Sequence, residues 1–90
     1  MNTSTVNLVK QVDIEQIARE GRKIYEQIKG EYGPKDRGKF LAIDIDTSEV
    51  FIGNTSAEAV EEAKKKYPEK VFYVVKIGYS AAETLARLQA

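Results

Sequence analysis

The sequence predicts a small α+β domain in which a helix, a β-hairpin, a second helix, a third strand and a short C-terminal helix follow one another. Three kinds of pattern predict it: apolar residues at helical spacing, apolar residues in alternation, and a run rich in β-branched and aromatic residues. The helical spacing occurs in segments 14–28 and 59–67, and the alternation occurs in 40–52. The run rich in β-branched and aromatic residues is 70–79. We expect a three-stranded sheet in the order 2-1-3, with the third strand antiparallel to the first, because a right-handed crossover can skip over the first strand.

The first helix is predicted by its cap and its apolar stripe. Asp13 can accept hydrogen bonds from the free amides of the first turn. Isoleucines then recur on one side, at positions 14, 17, 24 and 28. Gly21 stands where a large residue would complete the stripe, at a cost of about 1 kcal/mol relative to alanine. We therefore expect another element to pass close to Gly21, or the helix to bend there. A loop rich in glycine, 30–39, follows.

The hairpin is predicted from "KFLAIDI", residues 39–45, and from the strand Val50 to Ile52. Successive side chains of a strand point to opposite faces. One face carries Leu41, Ile43 and Ile45, and the other carries Phe40, Ala42, Asp44 and Asp46.

The second helix begins at "TSAE", where Thr55 and Glu58 have the spacing of a capping box. Its narrow, alanine-rich stripe favours close packing on a sheet, and Pro68 ends it. The last segment, "SAAETLARLQA", predicts the short C-terminal helix.

Both faces of the predicted sheet are apolar, so two helices could cover one face each, or one face could bind a partner. Our candidates for partner binding lie on the second face and the last helix: Ala42, Phe51, Phe72, Val74, Leu85 and Leu88. The exposed edge of strand 50–53 and the segments 1–11 and 80–90 are further candidates, because strand edges and terminal segments can order on binding.

Composition limits the function. A chain of 90 residues predicts a single domain, 12–90, and we expect a flexible arm, 1–11, before it. Fourteen basic and fourteen acidic residues give a net charge of zero, which provides no global attraction for nucleic acid or anionic membranes. The absence of Cys and His removes thiolate chemistry, imidazole bases and the usual zinc sites. We predict a cytoplasmic protein with no cofactor and no bound metal.

The acidic pair Asp44 and Asp46 could serve an active site. Aspartates at i and i+2 on a strand lie about 6–7 Å apart, a separation usable for metal-assisted hydrolysis. The pair resembles the first motif of haloacid-dehalogenase-like phosphatases, and "IDTS" resembles the Asp-Thr-Gly signature of retroviral-type proteases. We favour a structural role instead, because Asp, Thr and Ser favour turns and Asp44 could pair with Lys76 on the neighbouring strand.

A basic group on the glycine-rich loop, Lys35, Arg37 and Lys39, could bind phosphate, with Arg19, Arg22 and Lys23 nearby on the first helix. Acidic residues are interleaved with these cations. We therefore favour a solvated surface of mixed charge over a nucleic-acid site.

Residues 38–78 resemble a family of small uncharacterised bacterial and archaeal proteins, notably cyanobacterial ones. The shared pattern is Gly-Lys-aromatic-aliphatic-Ala, an acidic turn, a glycine, a Ser/Thr cap before Glu-Ala, and a Phe-Tyr-Val-Val-like strand. Ser48 stands where a glycine is common in the turn. The resemblance implies no catalytic residue, and some of these proteins resemble antitoxin-like partners.

We therefore predict a non-enzymatic protein-interaction domain, an antitoxin-like or regulatory partner of another protein. The partner is unidentified, and a homo-oligomer is left open. The alternatives are a small metal-dependent hydrolase using Asp44 and Asp46, and a nucleic-acid-binding domain.

Overall fold

The computed structural model describes residues 13–79 and the backbone of residues 87–89. Two helices, α1 (Ile14–Ile28) and α2 (Ser56–Lys66), pack on a sheet of four antiparallel strands. The strands are β1 (Phe40–Ile43), β2 (Val50–Gly53), β3 (Phe72–Lys76) and β4 (Arg87–Gln89), arranged in the order β2-β1-β3-β4. Short 3-10 helices, Lys29–Glu31 and Pro34–Asp36, lie between α1 and β1. The predicted α+β class and the 2-1-3 order are confirmed.

The C-terminal segment differs from the prediction. A short helix was expected there, but residues 87–89 form β4, antiparallel to β3 and adding a fourth strand. Pairing with β3 satisfies backbone groups that a marginal helix of about three turns would leave to water at its ends. Residues 80–86 lie outside the described residues, as does the arm predicted for 1–11.

Both helices begin at the predicted caps. The Asp13 carboxylate accepts a hydrogen bond from the Gln16 amide at 3.0 Å, and the Thr55 hydroxyl accepts one from the Glu58 amide at 3.1 Å. The Glu58 carboxylate in turn accepts the amide of Asn54, one residue before the cap, at 2.9 Å. Each cap satisfies amides that have no partner inside the helix.

Each face of the sheet is covered by one helix. α1 lies over β1, β3 and β4, and the core between them contains Ile17, Tyr25, Leu41, Ile43, Tyr73, Val75 and Ile77. α2 lies over β2, β1 and β3, above a core of Ala42, Ala59, Val60, Ala63, Phe72 and Val74. The first of the two packing alternatives left open by the sequence is therefore the one observed.

Gly21 lies where the Tyr73 side chain passes across α1. A methyl group at Gly21 would be 2.3 Å from Cγ of Tyr73, which is closer than carbon atoms pack. The predicted close approach is confirmed. Within the described residues, neither helix has the length and the apolar content needed to cross a membrane.

Candidate functional site

The turn between β1 and β2 is organised around the carboxylate of Asp44, whose side chain is 2% exposed. Its oxygens accept hydrogen bonds from the Asp46 amide at 3.2 Å and from the Thr47 hydroxyl at 2.9 Å. The Lys70 ammonium donates a third bond at 3.1 Å. A buried carboxylate needs partners of this kind to offset its loss of hydration. The turn predicted from Asp, Thr and Ser is confirmed.

The partner of Asp44 is Lys70, so the predicted pair with Lys76 is wrong. Lys76 lies opposite Phe40 in the register of β1 and β3, at the far end of the strand. The same register, extended beyond β1, brings Lys70 opposite Asp46, and the Lys70 ammonium contacts Asp46 at 3.2 Å as well as Asp44. The antiparallel register decides the pairing, and it depends on where β3 begins.

This geometry favours the structural role of the acidic pair. Both oxygens of Asp44 are occupied by the turn and by Lys70, whereas Asp46 extends into solvent with 71% of its side chain exposed. Among the described side chains, no three acidic groups converge in a way that could hold a metal ion. The pair thus stabilises a hairpin turn and joins it to the start of β3.

A second ionic contact links this turn to the end of α2. The Glu49 carboxylate accepts hydrogen bonds from the Lys66 ammonium at 2.8 Å and from the Tyr67 hydroxyl. The hydrogen bond from Lys66, followed by that from Tyr67, lowers the pKa of Glu49. The same bonds to Glu49 raise the pKa of Lys66 and of Tyr67. Hairpin, helix end and β3 are therefore held together by charge-assisted contacts.

We expect Lys70 to contribute a specific alkaline loss of stability. Its hydrogen bond to Asp44 raises the pKa of Lys70 above the ordinary 10.5. The contribution is fully present below the unfolded pKa and disappears as pH rises through the higher folded value. Urea unfolding measured from about pH 8 to 12 should show a steeper decline for the native chain than for Lys70→Met.

The exposed Lys35, which has no ion pair to a described residue, provides the control for that measurement. Lys35→Met should keep the alkaline decline of the native chain. A Lys70→Met profile parallel to the native one would show that the contact with Asp44 adds no stability.

Two of the basic residues proposed for phosphate binding make contacts with different parts of the chain. The Arg37 guanidinium donates to the Gly78 carbonyl at 3.0 Å and stacks over the Tyr79 ring, while Lys39 pairs with Asp36 at 3.3 Å. Lys35 is exposed on the 3-10 helix. Two of the three cations are thus engaged within the chain, which favours the solvated mixed-charge surface.

Three of the six apolar partner-binding candidates are covered. Ala42, Phe72 and Val74 are buried beneath α2. Among the candidates whose side chains the structure describes, only Phe51, half-buried against Tyr67 and Phe72, borders the surface. Leu88 is in β4, in register with Tyr73, and Leu85 lies outside the described residues. A partner could reach the three buried residues only by displacing α2, so they are not part of an accessible surface.

The outer side of β2 is one of the two edges of the sheet, the other being the outer side of β4, and no described strand pairs with it. The Asp44 amide donates to the Glu49 carbonyl at 2.9 Å, which makes this a hydrogen-bonded pair. In an antiparallel ladder, hydrogen-bonded and non-bonded pairs alternate. Phe51 and Gly53 therefore bond to β1, and the N–H and C=O groups of Val50 and Ile52 point outward. Two residues therefore present backbone groups along this edge that no described strand pairs.

Ile52 adds an apolar side chain to the same edge. It is 42% exposed, and it lies opposite Leu41 on the face of the sheet that carries α1. Among the described side chains, the other large apolar residue that is exposed is Ile14 of α1, at 63%. An exposed isoleucine beside free strand donors is a feature that natural proteins usually protect with charge, proline or a covering element.

A groove of about 390 Å³ follows the end of β2, between the strand and the first turns of α2. Its walls are formed by Lys39, Ile52, Gly53, Asn54, Glu58, Glu61 and Glu62. Gly53 allows the close approach of α2, because a Cβ there would be 2.4 Å from the Ala59 amide nitrogen. The groove therefore joins an apolar strand edge to an acidic helix side.

The sequence indicated the edge of strand 50–53 as a contact candidate, but it did not single out Ile52 or the three glutamates. Alternation from Phe51 does assign Ile52 to the face of Leu41. The alternation does not show which strands α1 covers; in the structure α1 lies over β1, β3 and β4.

Comparison with family models, curated proteins and solved structures finds no match for the chain, so the family resemblance stays a prediction.

Proposed function

We propose that this chain is a non-enzymatic protein-interaction module that binds an extended segment of another protein along the outer edge of β2. An added strand would pair with the outward N–H and C=O groups of Val50 and Ile52 and would cover the Ile52 side chain. The single observation that supports this most is the combination, at one strand edge, of backbone groups that no described strand pairs and an isoleucine that is 42% exposed.

The role of an antitoxin-like or regulatory partner belongs to the same proposal, as does a cytoplasmic location. Strand addition suits such a role, since main-chain hydrogen bonds give affinity and alternate side chains give specificity. The hydrolase and nucleic-acid alternatives receive less support, because Asp44 and Arg37 are both engaged in contacts within the chain.

The proposal is tested by selecting random heptapeptides on the immobilised chain and measuring their affinity for edge variants. Ile52→Pro removes the outward N–H and keeps the β1 ladder, because proline is tolerated where a strand amide faces solvent. Ile52→Lys keeps the donor and protects the edge with charge. Each variant should weaken the selected peptides by about tenfold or more.

Ile14→Thr is the matched control, because it removes an exposed isoleucine from α1, which lies over β1, β3 and β4, and should leave affinity unchanged. Circular dichroism establishes that each variant is folded. Peptides that bind Ile52→Pro and Ile52→Lys as tightly as the native chain would overturn the proposal, and so would a selection that yields no binder.

A further inference from the structure

We propose that the segment bound at the β2 edge alternates apolar and basic residues; this inference rests on the function proposed above. An added strand continues the pleat of the sheet, so its successive side chains lie on opposite faces. One set falls on the face of α1 and the other on the face of α2. The two faces beside β2 differ in chemistry, and each selects its own residue type.

The face that carries α1 selects apolar residues. Ile52 lies on that face, in register with Leu41, and exposes 42% of its surface. A side chain of the added strand next to Ile52 would remove this apolar area from water. Each such neighbour pair on a sheet stabilises the pairing of the strands.

The face that carries α2 selects basic residues. Glu58, Glu61 and Glu62 line the groove on this side, and Lys39 is the one cation among the groove residues. Lys39 is already paired with Asp36, and Glu62 with Lys65. Glu61 forms no ion pair with a described residue. Lysine or arginine side chains on the added strand would reach a groove whose unbalanced charge is negative.

A second copy of the chain is disfavoured as the occupant. Antiparallel pairing of two β2 edges places a two-fold axis perpendicular to the sheet, which keeps both α2 helices on the same face. Glu58, Glu61 and Glu62 of one copy would then approach the same residues of the other, and like charges across an interface are unfavourable. The acidic groove therefore selects a basic segment from another protein.

Two capped peptides test the inference by fluorescence anisotropy at about 50 mM salt. They are Val-Lys-Val-Lys-Val-Lys-Val and its counterpart with glutamate in place of lysine. We expect the lysine peptide to bind the native chain at least about tenfold more tightly. Glu61→Lys should reduce this preference about fivefold. Glu69→Lys, which makes the same charge change beyond the other end of α2, should preserve it.

The outcomes separate the inference from the function on which it rests. Equal affinity for both peptides, with both weakened by Ile52→Pro, would overturn the charge selection and leave edge binding intact. If peptides selected from the library bind but neither of these two peptides does, the proposed alternation of apolar and basic residues is overturned. Failure of every peptide would overturn both proposals. A dimer in sedimentation equilibrium that Ile52→Pro dissociates would overturn the inference in favour of a second copy.

Discussion

Replacing Asp44 with alanine is expected to lower the free energy of unfolding by about 3 kcal/mol. The substitution removes the acceptor for the Asp46 amide and the Thr47 hydroxyl, and it removes the partner of Lys70. The Lys70 side chain is 34% exposed, so water partly replaces the lost contact and keeps the cost below that of a fully buried pair. Urea unfolding at neutral pH measures the difference.

Asp46→Ala is the matched control, since its carboxylate shares Lys70 but is 71% exposed. Its expected cost is below about 1 kcal/mol, as for most surface ion pairs. A higher free energy of unfolding for Asp44→Ala would show that the buried carboxylate lowers the stability of the native chain. That result would revive the hydrolase hypothesis, because functional groups are often retained against stability.

Gly21→Ala is expected to lower the free energy of unfolding by about 2 kcal/mol, although alanine is the better helix former. The gain in helix propensity is about 1 kcal/mol. It is outweighed by the contact of the new methyl group with Cγ and Cβ of Tyr73, at 2.3 and 2.5 Å. Tyr73 is buried in a β-strand, so α1 has to move away from the sheet, and overpacking of this kind costs about 1–3 kcal/mol or more.

Gly30→Ala separates the two effects, because nothing lies within 4 Å of a Cβ placed there. It should change stability by less than about 0.5 kcal/mol. Thermal and urea unfolding of the two variants supply the comparison. A Gly21→Ala chain more stable than the native one would mean that α1 does not pack on Tyr73 as closely as described.

Much of this fold could be predicted from the sequence because local signals agree with it. Asp13, Thr55 and Glu58 cap the helices where their spacing indicates. The alternation around Leu41 assigns residues to the two faces correctly. Gly21 indicated a close approach, although the identity of Tyr73 required the tertiary packing.

The wrong predictions concern features that depend on which strands and side chains pair in the folded chain. The register between β1 and β3 depends on the length of the connection after α2, so Lys76 was chosen where Lys70 is the partner. Residues 87–89 pair with β3 because an adjacent strand edge is present, and the local sequence carries no sign of that edge. The edge strand β2 was predicted as a strand, but the exposure of Ile52 depends on which strands α1 covers.

Amide hydrogen exchange of Val50 and Ile52, followed by NMR with and without the Val-Lys peptide, tests strand addition most directly. In the free chain both amides point outward and should exchange fast, while the Phe51 amide is protected by β1. Binding along the edge should slow exchange at Val50 and Ile52 and leave Phe51 as it was. Peptide binding that leaves both amides exchanging fast, with protection elsewhere, would contradict the proposal.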